Sequence, residues 1–284
     1  MTFPTTSIII SVYKDTEALA LIINSLQQQT VFPAEVIISE DGDSSSMKSF
    51  VNSLTELPFE LIHLTQPDTG WQKNRALNKA VVSASSEYLI FIDGDCIPYN
   101  TFVEGHVCLQ ERNTVLCGRR SEPGSYYSSL LRSQKLSLSS FISNYILNFL
   151  SLKKDHVKHY EEGIFIRPES GLFTLVQKYI RRKEGHIVGC NFSCYKQDMI
   201  RINGFDEDFK QPTTGEDTDI ERRMKLLDIQ MKSCRNAANM VHLDHPKNFN
   251  SEISKNTMAL MESKGSEPYC HNGLDQHMSI GFTK

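Results

Sequence analysis

Over the first hundred residues, continuous apolar runs alternate with stretches in which apolar residues recur every three or four positions. The run Ser7-Ile8-Ile9-Ile10-Ser11-Val12 predicts a strand covered on both faces. Behind it, Leu19, Ile22, Ile23 and Leu26 fall on one face at helical spacing, with Asp15 and Thr16 placed to cap the helix. Glu35 to Ser39 reads as a second strand ending in Glu40-Asp41-Gly42-Asp43, and Met47, Phe50, Val51 and Leu54 mark an amphipathic helix after it. Phe59 to Leu64 supplies a third strand, and Gln72 to Val82 a third helix whose buried face holds Ala76, Leu77, Ala80 and Val81. The fourth strand, Tyr88 to Asp93, is apolar until it ends in Asp93-Gly94-Asp95. Repeated β-α-β alternation with short connections predicts an α/β fold: a Rossmann-like, mostly parallel, right-handed sheet flanked by helices.

From about Val115 the regularity weakens, and residues 121–186 read as a mainly helical insertion. Its apolar positions Leu130, Leu131, Leu136, Leu138, Phe141, Ile142, Tyr145, Ile146, Phe149 and Leu150 predict a strongly apolar helix, followed by Lys153 and Lys154. Such a helix suits a core or lid, or a segment lying on anionic lipid. Regular structure returns with Gly189-Cys190-Asn191-Phe192-Ser193 and a following helix, and the last thirty or so residues read as polar and irregular.

Composition narrows the class. A chain of 284 residues with 39% hydrophobic and 23% charged residues is long enough for one large domain with a substantial core. A net charge of −4 argues against nucleic acid as a partner despite basic clusters at Lys153-Lys154 and Arg181-Arg182-Lys183. Seven cysteines without a framework spacing, and no leading signal peptide, predict a reducing, cytoplasmic setting. No apolar stretch is long enough to cross a bilayer, which leaves peripheral contact with the inner face of the plasma membrane open.

The chemistry is expected at the carboxyl ends of the strands, where ligands of parallel sheets collect. Asp41 after the second strand, and Asp93 and Asp95 after the fourth, fall on one edge. Two carboxylates one residue apart repel unless a cation such as Mg2+ or Mn2+ lies between them and a polyphosphate. Lys73 and Arg75, in the first turn of the third helix, suit a diphosphate. No Gly-x-Gly-x-x-Gly or Gly-Lys-Ser/Thr is present, so neither a dinucleotide fold nor a P-loop is supported. Downstream lie Gly215-Glu216-Asp217-Thr218-Asp219 at a helix start and Val241-His242-Leu243-Asp244-His245-Pro246.

Taken in order, these motifs resemble the family 2 glycosyltransferases, inverting enzymes with a GT-A fold. The resemblance rests on the opening strand, Ile38 to Asp43, Asp68 to Asn78, Asp93-Gly94-Asp95, Gly189 to Ser193, Asn203-Gly204-Phe205-Asp206-Glu207, Gly215-Glu216-Asp217 and the His242/His245 pair. Its C-terminal part is similar to chondroitin-polymerase-type and β-1,4-galactosyltransferase-type enzymes. Pro212-Thr213-Thr214 stands where relatives place Trp-Gly, and Glu40-Asp41-Gly42-Asp43 replaces the commoner Asp-Asp-Gly-Ser. The resemblance implies a UDP-sugar donor and a saccharide or lipid-linked saccharide acceptor. It assigns Asp93 and Asp95 to Mn2+ or Mg2+, with His245 favoured over His242 as a nitrogen ligand. Asp217 is the expected general base and Glu216 an acceptor contact. Asp41 would accept a hydrogen bond from uracil, and Lys73 or Arg75 would contact uridine or diphosphate. Trp71, the one tryptophan, is either a stacking surface or a core residue.

The division expected is 1–120 for nucleotide-sugar binding, 121–186 for acceptor or membrane contact, 187–250 for acceptor binding and the base, and 251–284 as a tail. Competing readings are a haloacid-dehalogenase-like phosphatase, in which the Asp-x-Asp would belong to the first strand, and a nucleotidyltransferase, which needs a Gly-rich basic loop where Tyr13-Lys14-Asp15-Thr16 stands. A non-catalytic nucleotide-sugar binding protein is the third.

Overall fold

The computed structural model describes residues 3–180, 185–212, 215–246 and 251–278. Arg181-Arg182-Lys183 and Thr213-Thr214 lie outside the described residues. The alternation read from the sequence is present as β1 (Thr6–Val12), α1 (Thr16–Leu26), β2 (Glu35–Glu40), α2 (Ser45–Ser53), β3 (Glu60–Leu64), α3 (Lys73–Ser83) and β4 (Tyr88–Asp93). Asp15 caps α1 by accepting from the Ala18 N–H at 2.9 Å, and Ser44 caps α2 through the Met47 N–H at 3.3 Å.

Strands β3, β2, β1 and β4 pair in parallel in that order, in register Ile9↔Ile37 and Ile9↔Phe91. Successive side chains point to opposite faces. Ile8, Ile10, Val36, Ile38 and Ile90 therefore pack with α1, and Ile9, Ile37, Leu89 and Phe91 with α3. Both faces are covered, which is why these strands read as unbroken apolar runs.

The chain then forms β5 (Cys96–Pro98), α4 (Phe102–Leu109) and β6 (Thr114–Cys117) before the insertion, and after it β7 (Asn191–Tyr195), the short helix Lys196–Arg201, the helix Gly215–Lys225, β8 (Gln230–Ser233) and β9 (Met240–His242). The seven-stranded sheet has the order β3-β2-β1-β4-β7-β6-β8, with β7 antiparallel to both neighbours and the other pairings parallel. Strands β5 and β9 make a separate antiparallel ribbon.

Two expectations are corrected. The apolar positions between Leu130 and Leu150 do not form one helix; the insertion holds α5 (Ser125–Arg132), α6 (Leu138–Ser143) and α7 (Phe149–Lys154), then α8 (Gly171–Leu175). Gln134 takes a left-handed φ of 55° just after α5, and Ser137 starts α6 afresh by accepting from the Ser140 N–H at 3.2 Å. Several turns wrapped on one core surface produce the same spacing of apolar residues as one helix. In the expected irregular tail, the chain forms a thirteen-residue helix over Ser251–Ser263 and a 3-10 turn over Leu274–His277. Thr257 is the helix's one buried residue, so no apolar stripe marks it in the sequence. Numbering in chain order makes α9 Lys196–Arg201, α10 Gly215–Lys225 and α11 Ser251–Ser263.

Asn78 holds the downstream half against the first, and Asn203 and Arg223 tie the downstream half together. Asn78 on α3 donates to the Phe205 carbonyl and accepts from the Phe205 N–H, both at 2.8 Å. Asn203 donates to the Cys270 carbonyl at 2.8 Å, fastening the tail. Arg223, fully buried on α10, pairs with Asp219 at 2.7 Å and donates to the carbonyls of Ile202 and Gly204. Among the described residues no helix is long and apolar enough to cross a membrane.

Candidate active site

The register of the parallel strands sets Asp93 beside Ser11 and Glu40 beside Val12, so β1, β2 and β4 end together. Immediately past β4 the chain turns tightly against β1. The Gly94 N–H donates to the Ser11 carbonyl at 2.7 Å, and a Cβ on Gly94 would lie 2.9 Å from that oxygen and from Val12 Cγ1. Glycine is therefore required between the two aspartates. Above this edge opens a cavity of about 660 Å3, within the usual range for small-ligand sites. Asp15, Asp41, Trp71, Lys73, Asp93, Asp95 and His245 are among its lining residues. Gly70, at φ 99°, supplies the left-handed turn that carries Trp71 over it.

The β5–β9 ribbon brings two distant motifs together. Its register places Cys96 opposite His242, and the Leu243 N–H donates to the Asp95 carbonyl at 2.9 Å. Asp95 Oδ2 consequently lies 3.4 Å from His242 Nε2 and 3.2 Å from His245 Nε2. Burial alone would raise the Asp95 pKa, but hydrogen bonds and charge from both histidines hold it well below the usual carboxylate range. Cys96 Sγ adds a fourth donor beside Asp95 and His242. Oxygen and nitrogen donors spaced by about 3 Å match adjacent ligands around a first-row divalent ion, whose bonds to such atoms run to about 2.0–2.2 Å. Asp95, His242 and His245 fit such an ion.

Asp93 turns the other way. Its Oδ1 accepts from Lys73 Nζ at 2.8 Å, and the same ammonium reaches Glu216 Oε1 at 3.0 Å. Burial opposes the Lys73 charge, yet the two carboxylates carry its pKa well above the ordinary lysine value. Glu216 and Asp217 occupy the first turn of α10, which the buried Asp219–Arg223 pair fixes in place. Asp217 Oδ2 accepts from the Gly189 N–H at 3.2 Å and Oδ1 from the Thr218 N–H at 2.9 Å. Burial raises the pKa of both acids, with Lys73 pulling each back down. Asp93, Lys73, Gly189, Glu216 and Asp217 all line a small second cavity.

The remaining expected residues divide. Asp41 lines the main cavity while accepting from the Gln72 N–H at 2.7 Å and from Gln66 Nε2 at 2.8 Å, so it also fixes the start of α3. Trp71, half-buried, faces the same space. Arg75 is not brought to it: exposed, it lines a separate cavity with Glu207, Lys210 and His277. Two residues at the site were not singled out for it by the sequence. Asp15, read as a helix cap, also lines the cavity and pairs with Arg132 of the insertion at 2.9 Å. Arg132 carries no motif; its role comes only from the insertion folding back.

Comparison with known proteins agrees with the ordered motifs. A family model described as glycosyl transferase family 2 matches residues 7–193, and one described as N-terminal domain of galactosyltransferase matches residues 173–246. Over 117 residues the chain is 27% identical to chondroitin synthase of Escherichia coli, a match covering 40% of this chain and 17% of that one. The chain thus spans under two thirds of that relative's length. Among solved structures, GalNAc-T7 with UDP, GalNAc and Mn2+ aligns at a TM-score of 0.61 and 11% identity, covering 92% of this chain and 48% of that one. The mannosyltransferase PcManGT from Pyrobaculum calidifontis, in complex with GDP-Man and Mn2+, aligns at 0.54 and 14%, covering 88% and 59%. These likenesses show the fold, which is GT-A.

Proposed function

This chain belongs to glycosyl transferase family 2, and on that footing we propose that it moves a hexose or N-acetylhexosamine from a UDP-sugar to a saccharide acceptor, with inversion. The acceptor class we propose is a surface polysaccharide or a lipid-linked glycan. The observation that carries the reading is the opposition of two groups across one sheet edge: Asp95 with His242 and His245 on one side, Lys73 with Asp93, Glu216 and Asp217 on the other.

In this reading Asp95, His242 and His245 hold Mn2+ or Mg2+, which when bound neutralises charge on the departing diphosphate. The mixed oxygen and nitrogen donors favour Mn2+. Asp41 and Trp71 receive the nucleoside, and Asp93, held by Lys73, faces the donor sugar. Asp217 takes the proton from the acceptor hydroxyl as it attacks from the face opposite the leaving group, and Glu216 positions that hydroxyl. A base must be deprotonated to act. Because burial raises the Asp217 pKa, the acid limb of the rate profile falls at higher pH than for an ordinary aspartate.

The test is transfer and slow donor hydrolysis across UDP-, GDP- and CMP-sugars, with and without Mn2+, for the wild type and Asp217→Asn. One UDP-sugar is expected to react in a metal-dependent way, and Asp217→Asn to keep donor binding while losing a factor of about 10² to 10⁴ in transfer. Normal transfer by that variant would remove Asp217 from the mechanism. Binding of a UDP-sugar without any transfer or hydrolysis would instead favour a non-catalytic binding protein.

A further inference from the structure

We propose that the insertion docks on an anionic lipid surface through an apolar wedge at residues 146–150 with a basic flank behind it. Four large apolar side chains stand out of the molecule within five residues: Ile146 is 65% exposed, Leu147 83%, Phe149 43% and Leu150 71%. They are not on a loose loop. Tyr145 and Leu152 on either side are buried, the Tyr145 and Tyr160 rings stack at 4.9 Å, and the Phe149 ring meets Tyr160 edge-on at 4.9 Å. A protruding apolar ridge on a rigid aromatic base marks an interaction surface, because water-soluble surfaces rarely keep such side chains together.

Charge selects the occupant. Although the chain carries −4 overall, residues 144–159 hold three lysines, Lys153, Lys154 and Lys158, against one aspartate. That aspartate, Asp155, is turned inward, accepting from the Tyr126 and Tyr127 N–H groups at 3.0 Å. Lys153, Lys154 and Lys158 are all exposed. Apolar side chains entering the headgroup boundary with lysines beside them is the arrangement of interfacial lipid binding. A twofold contact with a second copy would press the same patch against itself and crowd the lysines of both chains. The docking requires no catalysis, so it stands apart from the transfer reaction. It does bear on it: α5 of the same insertion reaches the cavity through the Arg132–Asp15 pair, and Ser128 Oγ accepts from the Asp244 N–H at 2.8 Å. Docking through the insertion therefore anchors to the lipid a segment whose Arg132 is paired with Asp15 of the cavity wall.

The experiment is co-sedimentation of the full chain with vesicles of phosphatidylcholine alone and of phosphatidylcholine mixed with phosphatidylglycerol. Binding is expected to the mixed vesicles and to weaken with salt. Lys153→Gln with Lys154→Gln should lower it roughly twenty-five-fold, from about fivefold for each basic residue at the surface. Leu147→Ser with Leu150→Ser should lower it by at least about tenfold. All four side chains are exposed, so thermal midpoints should not move, and an unchanged midpoint shows that lost binding is not lost folding. No binding to the mixed vesicles, or wild-type binding by either double variant, overturns the proposal. So does a leucine variant that turns a dimer into a monomer while vesicle binding persists, which would give the ridge to a second copy.

Discussion

His106 illustrates how a single buried side chain couples the core to the site. It lies wholly inside, with Nδ1 2.8 Å from Ser193 Oγ and Nε2 3.1 Å from Asn191 Oδ1, both on the strand that follows Gly189. Burial lowers its pKa to about 3, against a small opposing effect of the Asn191 hydrogen bond. In the unfolded chain a histidine takes up its proton near pH 6.5. Between pH 6.5 and about 3 the unfolded state therefore binds one more proton at this position, and folding stability falls as pH falls through that window. The slope from this group reaches at most about 1.4 kcal/mol per pH unit. Urea denaturation across pH 4 to 7, compared between wild type and His106→Gln, should show a pH dependence shallower by about one proton in the variant. Identical slopes would mean that the imidazole is not excluded from protonation by folding.

At the scale of elements, the turn from β4 to β5 does most to build the site, and Gly94 is the residue that permits it. With Ser11 and Val12 at 2.9 Å from any added Cβ, Gly94→Ala forces the backbone of β1 or β4 to shift. The expected cost is about 1–3 kcal/mol of stability, as for other overpacked positions, together with weakened nucleotide binding because Asp93 and Asp95 move with the turn. Guanidinium melts and calorimetry with UDP check both, and wild-type values in each would show that the turn is more yielding than its geometry implies. This element was legible in the sequence: a short apolar run ending in two acids, within a repeated strand–helix alternation, reads as a buried strand delivering them to an edge. The helices α1 to α3 were legible for the same reason, since each buries one periodic face. What pattern could not reveal is contact between distant segments. Nothing in Lys73 announces that it will bridge Asp93 and Glu216, and nothing in Cys96-Ile97-Pro98 that it will pair with Met240-Val241-His242. The insertion was misread because its apolar residues serve several short helices, and α11 because it buries almost nothing.

Across the whole molecule, the main cavity draws its walls from segments far apart in the chain: Asp15, Asp41 and Trp71 from the first part, Asp95 from the middle and His245 from near the end, with Arg132 of the insertion bound to Asp15. In the unfolded chain none of these groups is held near another, so a ligand that needs them together binds the folded state alone. Such a ligand stabilises by RT ln(1 + [L]/Kd), about 2.7 kcal/mol at a hundredfold excess over Kd. For a chain of this size each kcal/mol moves the midpoint by about 2–4 °C, so a correct UDP-sugar with Mn2+ should raise Tm by roughly 5–10 °C. In the proposed reading Asp95 holds the metal, so the rise should shrink to that of the sugar nucleotide alone in a chelator or in Asp95→Ala. A full rise that survives the chelator would detach the Asp95–His242–His245 cluster from donor binding. A full rise in Asp95→Ala with metal present would make the carboxylate dispensable for metal-linked donor binding and remove Asp95 from the proposed metal site.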